Sequence, residues 1–201
     1  MDIVIIFKAI RKVKNLIIKQ FYKPISIIIF YLNGVNIARG LACNGLPKVI
    51  VTRRGKMIIG ENFRFNSGEN HNIIGRQQKC IFWVDGILSI GNNVGMSSTA
   101  IICKDNINIG NNVVIGGNVV FYDTDFHSLD PNLRNSPLDQ SNAKKSPIII
   151  EDNVFIGAHS TILKGVTIGE NSIVGACSVV TKNIPANEIW GGNPARFIKK
   201  I

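Results

Sequence analysis

The sequence predicts an all-β solenoid of short parallel strands, and three observations predict it. A six-residue period runs through most of the chain, branched aliphatic residues far outnumber aromatics, and Gly and Asn punctuate the runs between them. Hydrophobic residues make up 45% of the 201, charged residues 18% and aromatics 7%. Such a chain can bury a core, and that core must be built mainly of Ile, Val and Leu, which suit pleated, half-buried surfaces. The length suits one domain, or one domain with an extension.

The period is clearest toward the C-terminus. Ile150, Ile156, Ile162, Ile168, Val174 and Val180 keep register without a slip, and Gly157, Gly169 and Gly175 follow three of them. Four residues after each anchor stand Val154, Ser160, Val166, Ser172, Ser178 and Ile184, all small or aliphatic. Upstream the pattern recurs at Val84, Ile90, Met96 and Ile102, slips by one residue, and continues at Ile109, Ile115 and Phe121. A six-residue unit is too short for a helical hairpin but fits one strand plus a turn, with Gly and Asn supplying left-handed backbone angles. Three units close a triangular coil, and coils stack in parallel with the anchors pointing inward as ladders. The solenoid is expected over 49–187, interrupted once by an excursion over 122–147 that is rich in Asp, Asn, Ser and Pro.

The net charge of +10 sits at one end of the chain: residues 1–60 hold 11 basic residues against the single acid Asp2, and residues 61–201 hold 12 against 12. The neutral remainder lacks a basic, aromatic-interleaved stripe, which argues against nucleic acid as a partner. Domain 1–48 is expected to be helical. Its residues 2–32 alternate aliphatics with Lys8, Arg11, Lys12, Lys14, Lys19 and Lys23, which reads as a basic amphipathic helix stopped by Pro24 and followed by an apolar run over 25–32. That run is far shorter than the roughly 20 residues a spanning helix needs. The segment therefore reads either as a cap on the open end of the solenoid that contacts neighbouring subunits, or as an anchor lying on a membrane surface. Apolar residues precede the charges and no small-residue cleavage site follows, the reverse of a signal peptide. Cys43, Cys80, Cys103 and Cys177 show no metal-ligand spacing and read as buried small residues in a reducing compartment. The expected location is the cytoplasm, peripheral to the inner face of the membrane.

With the repeat in hand, the sequence resembles the hexapeptide-repeat acyltransferases, and the resemblance implies a left-handed parallel β-helix. The hand comes from the resemblance alone, because parallel crossovers are otherwise right-handed. The run Phe121-Tyr122-Asp123-Thr124-Asp125-Phe126-His127-Ser128-Leu129-Asp130-Pro131 resembles the active-site loop of the maltose and galactoside acetyltransferases and their capsule or O-antigen relatives. This implies an acetyl-CoA-dependent O-acetyltransferase acting on a sugar hydroxyl in capsular or O-antigen polysaccharide biosynthesis, with His127 as general base. Acyl transfer from a thioester to a hydroxyl needs a base near neutral pH, and imidazole supplies one. Asp125, Asp123 or a backbone carbonyl is expected to hold its other nitrogen. By resemblance the transfer is direct, in a ternary complex.

Ile156-Gly157-Ala158, Val174-Gly175-Ala176 and the run from Val180 through Lys199 are similar to the coenzyme A segment of the family. This implies that Ala158 and Ala176 meet the pantetheine arm, that Thr181 and Lys182 flank its far end, and that Arg196 and Lys199 face the nucleotide phosphates. A short C-terminal helix or tail is expected over 188–201. Asp105 and Ser98 fall near the positions where the family contacts the sugar, and either also reads as a turn former. The resemblance further implies a homotrimer with active sites between subunits, and the basic N-terminal segment favours a saccharide carried on a lipid. His71 and His159 read as structural or surface residues. Spacings of 56 and 32 residues among the three histidines do not match a zinc-binding γ-carbonic anhydrase, so no metal is expected. The alternatives are N-acetylation of an amino sugar, acetylation of serine or of an antibiotic, and a catalytically idle scaffold.

Overall fold

The structure, a computed structural model, describes residues 2–69, 71, 72, 74 and 78–201. Three parallel sheets form the faces of a prism. The first face takes Asn36–Ile37, Lys56–Ile59, Ile87–Ile90, Asn106–Ile109, Ile148–Ile150 and Thr167–Ile168. The second takes Ala42–Asn44, Arg64–Asn66, Gly95–Ser97, Val114–Gly117, Phe155–Ile156, Ile173–Val174 and Glu188–Gly191. The third takes Lys48–Val51, Ile81–Val84, Ala100–Cys103, Val120–Tyr122, Thr161–Leu163 and Val179–Val180.

The anchors point inward as the period requires. Ile150, Ile156, Ile162, Ile168 and Val174 are fully buried, as are Val154, Ser160, Ser172 and Ser178 at the fourth position after an anchor. Each buried Ile contributes about 1.5–3 kcal/mol, and pairings such as Ile150↔Ile168 and Ile156↔Val174 stack them directly. At the corner between the first and second faces, Asn62, Asn93, Asn112, Asn153, Asn171 and Asn187 all adopt positive φ. Asn tolerates that region better than other side chains, and each amide bonds the next, from Asn62 to Asn93 through to Asn171 and Asn187.

Several expectations need correction. Ile102 faces outward, and its neighbours Ile101 and Cys103 are the buried pair, because Phe82 pairs Ile101 and Ile101 pairs Phe121. The irregularity lies between Met96 and Ile101, where the coil is one residue short of the period that Ile115 and Phe121 keep, and it appears as a register shift opposite Ile115/Gly117. A second interruption separates Arg64–Asn66 from Ile81–Val84, and its Ile74 lies against Gly117. Strands begin at Asn36 rather than at 49. The C-terminus is not helical: Arg196–Lys200 pairs antiparallel with Glu188–Gly191, extending the second sheet instead. Of the cysteines, Cys80 and Cys103 are buried, which pushes both thiols up to about 12. Cys43 is half-buried, and Cys177 is exposed at positive φ in a turn, where the corner demands a left-handed residue and leaves its side chain outside.

The N-terminal helix α1, Ile3–Leu32, runs through Pro24 instead of stopping there. Proline removes one donor, and the carbonyl it orphans belongs to Gln20, an exposed residue whose carbonyl water can satisfy. The helix ends where Gly34 takes φ +68° and its N–H, with that of Asn33, returns to the last turn. Only its final turns pack on the solenoid. Phe30, fully buried, closes the open first coil against Phe65 and Phe82 at centroid distances of 6.3 and 6.0 Å. No helix among the described residues is long and apolar enough to cross a membrane.

Candidate active site

The excursion leaves the third face after Val120–Tyr122, and the coil beneath thereby loses backbone acceptors. One coil lower, the N–H groups of Asp85 and Gly86 donate to the Cys103 carbonyl. The corresponding N–H groups of Lys104 and Asp105 donate instead to the Asp123 carboxylate, at 2.8 and 2.7 Å. Asp123 is fully buried; burial pushes its carboxyl up, opposed by these two N–H groups. Its own carbonyl accepts from Ser146 at 3.0 Å, so one residue ties the outgoing and returning ends of the loop. Lys164 pairs with Asp125 at 2.5 Å from the coil above, and the Asp125 N–H donates to the Lys144 carbonyl.

Within this frame Phe126 adopts φ +65°, a costly conformation for an aromatic residue. It is held edge-on to Tyr122 at 5.2 Å and beneath the Lys104 ammonium at 5.9 Å. The chain then turns to present His127, whose side chain is 65% exposed. Its Nδ1 lies 2.6 Å from Asp139 Oδ2, while Asp139 Oδ1 accepts the Ser128 N–H at 2.7 Å. The His127 hydrogen bond holds the Asp139 carboxyl below the usual range, with the Ser128 N–H adding to the effect. A carboxylate only accepts, so Nδ1 carries the hydrogen, and the neutral ring in this tautomer has its lone pair on Nε2. Nε2 bonds no other described residue.

The orienting acid is therefore Asp139, not Asp123 or Asp125, which are engaged with the coil and with Lys164. Asp139 lies 12 residues beyond His127, on the returning limb of the loop, and no fixed spacing marks it. Phe126, Lys104 and Lys164 escaped the sequence for the same reason. The other histidines do not converge on His127. His71 meets the Tyr22 hydroxyl at 3.1 Å, and His159, at positive φ, meets Asn118 at 3.2 Å.

The residues expected at coenzyme A fall into two groups. Ala158 and Ala176 stack at the corner between the second and third faces, where the Cys177 N–H donates to the Ala158 carbonyl at 2.8 Å. Their own N–H groups bond no other described backbone group. The corner is tight, since a Cβ on Gly157 would lie 2.4 Å from the Ala176 nitrogen. Gly191 and Gly192 continue it, and the adjoining strand Arg196–Lys200 exposes Arg196 and Lys199. Thr181 and Lys182 are exposed at the next corner round, after Val179–Val180. Of the acceptor candidates, Asp105 lies directly under the loop root through its N–H bond to Asp123. Ser98 lies apart, fully buried at φ +45° in the opposite corner, which is the geometry of a turn former.

Comparison with known proteins fits this architecture. Residues 147–182 match the model described as the hexapeptide repeat of succinyl-transferase. The galactoside O-acetyltransferase of Escherichia coli is 33% identical over 177 residues, 79% of this chain and 82% of that protein. Against other curated relatives the chain spans about half their length or less; for the galactoside O-acetyltransferase of Lactococcus lactis it is 44% identical over 93 residues, 46% of this chain and 42% of that protein. Among solved structures, a galactoside acetyltransferase in complex with coenzyme A aligns with a TM-score of 0.58 and 28% identity, over 87% of this chain and 68% of that one. Fold and repeat together define a hexapeptide solenoid, and the chain belongs to the hexapeptide-repeat acetyltransferase family, with its left-handed parallel β-helix.

Proposed function

We propose that the protein is an acetyl-CoA-dependent O-acetyltransferase that acetylates a sugar hydroxyl in the synthesis of a capsular or O-antigen polysaccharide. The observation that carries this reading is the 2.6 Å pairing of His127 Nδ1 with Asp139, which leaves Nε2 as a base. The galactoside O-acetyltransferases among its relatives, one of them complexed with coenzyme A, support the donor and acceptor classes.

In the proposed reaction His127 Nε2 takes the hydroxyl proton as the sugar oxygen attacks the thioester carbonyl carbon. Asp139 fixes the tautomer and stabilises the imidazolium that forms. The oxyanion receives a backbone N–H from the coil corner, and the N–H of Ala158, which bonds no other described backbone group, supports that assignment. Collapse breaks the carbon–sulfur bond, His127 returns its proton to the thiolate, and the acetyl ester and free coenzyme A leave without an acyl-enzyme. Ala158 and Ala176 would admit the pantetheine arm, Thr181 and Lys182 would flank it, and Arg196 and Lys199 would meet phosphates. Asp105, beside the loop root, is the preferred acceptor contact.

His127 and the Ala158–Ala176 corner lie at opposite edges of the third face, which supports a homotrimer in which one subunit's loop meets its neighbour's corner. The free cysteines support a reducing, cytoplasmic location. The test is release of coenzyme A from acetyl-CoA against a panel of sugar acceptors, for the wild type and His127→Ala. Acceptor-dependent release that falls about a hundredfold or more in the variant is expected. Neither release nor saturable coenzyme A binding would sink the reading in favour of an idle scaffold.

A further inference from the structure

The first two thirds of α1 have no role in the reaction, and up to Phe21 most of their side chains are exposed, with Tyr22 the first to bond a described residue of the solenoid, His71. Ile3, Ile10, Val13, Ile17 and Phe21 recur on one side of the helix, and each is more than half exposed. The stripe is continuous, because spacings of three and four residues return to the same face. Lys8, Arg11, Lys12 and Lys23 occupy the opposite arc, and Lys14 flanks the stripe. Past the N-cap Asp2 no acidic residue occurs until Glu61, which pairs with Arg39, so nothing on the rest of the helix offsets this charge. The exposed Lys48, Arg53 and Lys56 of those coils add to it.

An exposed apolar stripe of this length needs a covering surface, and the charges around it select which. A protein groove or a second α1 laid on the stripe would cover the apolar side chains but leave the cationic arc facing water with no counter-charge. An anionic lipid surface satisfies both faces at once: side chains on the stripe enter the acyl boundary while lysine and arginine stems reach the headgroups. Residues 3–21 span about 28 Å, enough to lie along a bilayer, and their cations prevent them from crossing it.

We propose that α1 is an interfacial anchor that holds the solenoid on membranes carrying anionic phospholipid. The anchor stands independently of the acetyl-transfer reading. Because the solenoid is capped by Phe30 at the far end of the same helix, the anchor and the fold are separate structural units on one element.

The test is flotation of the full-length protein with vesicles of phosphatidylcholine alone or with about a third phosphatidylglycerol, for the wild type and two variants. One carries Lys8→Glu, Arg11→Glu and Lys12→Glu; the other carries Ile10→Ser, Val13→Ser and Ile17→Ser. All six side chains are exposed, so circular dichroism and the oligomeric state are expected to match the wild type. The wild type should float with the anionic vesicles and not with phosphatidylcholine alone, with partitioning weakened by salt. Each variant should lose about a hundredfold in partitioning. Absence of flotation with either vesicle would overturn the proposal. So would unchanged binding by both variants, or an apolar-face variant whose sole effect is to reduce self-association.

Discussion

Replacement of Asp139 by Asn isolates the part of the candidate site that the sequence did not mark. The carboxylate accepts twice, from His127 Nδ1–H at 2.6 Å and from the Ser128 N–H at 2.7 Å. An amide of the same shape accepts at only one oxygen. If that oxygen faces His127, its NH₂ opposes the Ser128 N–H, and a donor set against a donor costs about 1–3 kcal/mol. If it faces Ser128, the NH₂ donates to Nδ1 and drives the proton onto Nε2, where the ring can no longer act as a base. The second arrangement satisfies every donor and should dominate by that margin, which at 1.4 kcal/mol per tenfold predicts a fall in kcat of about 5- to 150-fold. The KM for acetyl-CoA should stay within about twofold, since Asp139 touches no residue assigned to the donor. Steady-state kinetics of coenzyme A release check this, paired with thermal melts. Combining Asp139→Asn with His127→Ala should be no worse than His127→Ala alone, because the two act as one unit. A kcat within about threefold of wild type, or a loss matched by a large drop in Tm, would refute the positioning role and leave Asp139 as a loop anchor.

Three further outcomes follow from the packing and the charges. Phe30→Ala should lower stability in urea by about 3–5 kcal/mol, because it opens the capped end of the core; a change below about 1 kcal/mol would mean the cap is dispensable. Gly157→Ala places a Cβ 2.4 Å from the Ala176 backbone nitrogen, so it should destabilise the upper coils and weaken coenzyme A binding by calorimetry together, whereas unaltered binding would separate the corner from the donor site. Hydrogen bonds from Asn111 to Asp152, and from Thr52 and Arg54 to Asp85, hold both carboxyls below their usual value. Folded-state depression of this kind stabilises the protein above the unfolded pKa near 3.9 and is lost as pH falls through the lower folded value. Burial raises Asp123, so its contribution runs the other way and is relieved on acidification. The urea midpoint of Asp152→Asn should thus converge on the wild type as pH falls through the lowered folded value, and a constant gap would refute the assignment.

The regular part of the molecule was legible because each coil repeats one physical demand. An inward aliphatic every sixth residue and a left-handed corner filled by Asn or Gly leave a periodic trace, and Ile150 to Val180 lie where that trace puts them. The trace failed where the coil length changes. Ile102 looked in register by counting, but the run from Met96 to the next inward position is one residue shorter than the period, so that Ile101 and Cys103 face the core. It failed again at Pro24, where local helix-breaking is overridden because the exposed turn can hydrate the carbonyl left over. The terminal strand Arg196–Lys200 was missed because its side chains are exposed throughout, and only pairing with Glu188–Gly191 makes it a strand. At the site, His127 was visible from its neighbours in the chain, whereas Asp139 acts from a returning limb that only tertiary structure brings near.

The acid that orients His127 comes from the loop and not from the coil for a physical reason. Side chains of a β-helix either point into the core or stand in rows about 4.8 Å apart along the ladder, where each meets the side chain stacked above or below it. The corner acids of the coil are also occupied: Asp85 takes Thr52 and Arg54, Asp123 takes the Lys104 and Asp105 N–H groups, and Asp152 takes Asn111. Diverting Asp123 or Asp152 would leave backbone N–H groups unpaired at about 1–3 kcal/mol apiece. An excursion escapes both constraints. It can fold its returning limb against its outgoing limb at any distance, and Asp123, Asp125 and Lys164 keep its root rigid enough for the pairing to hold. The solenoid supplies stiffness and the irregular insertion supplies reach, so the chemistry sits where the repeat stops.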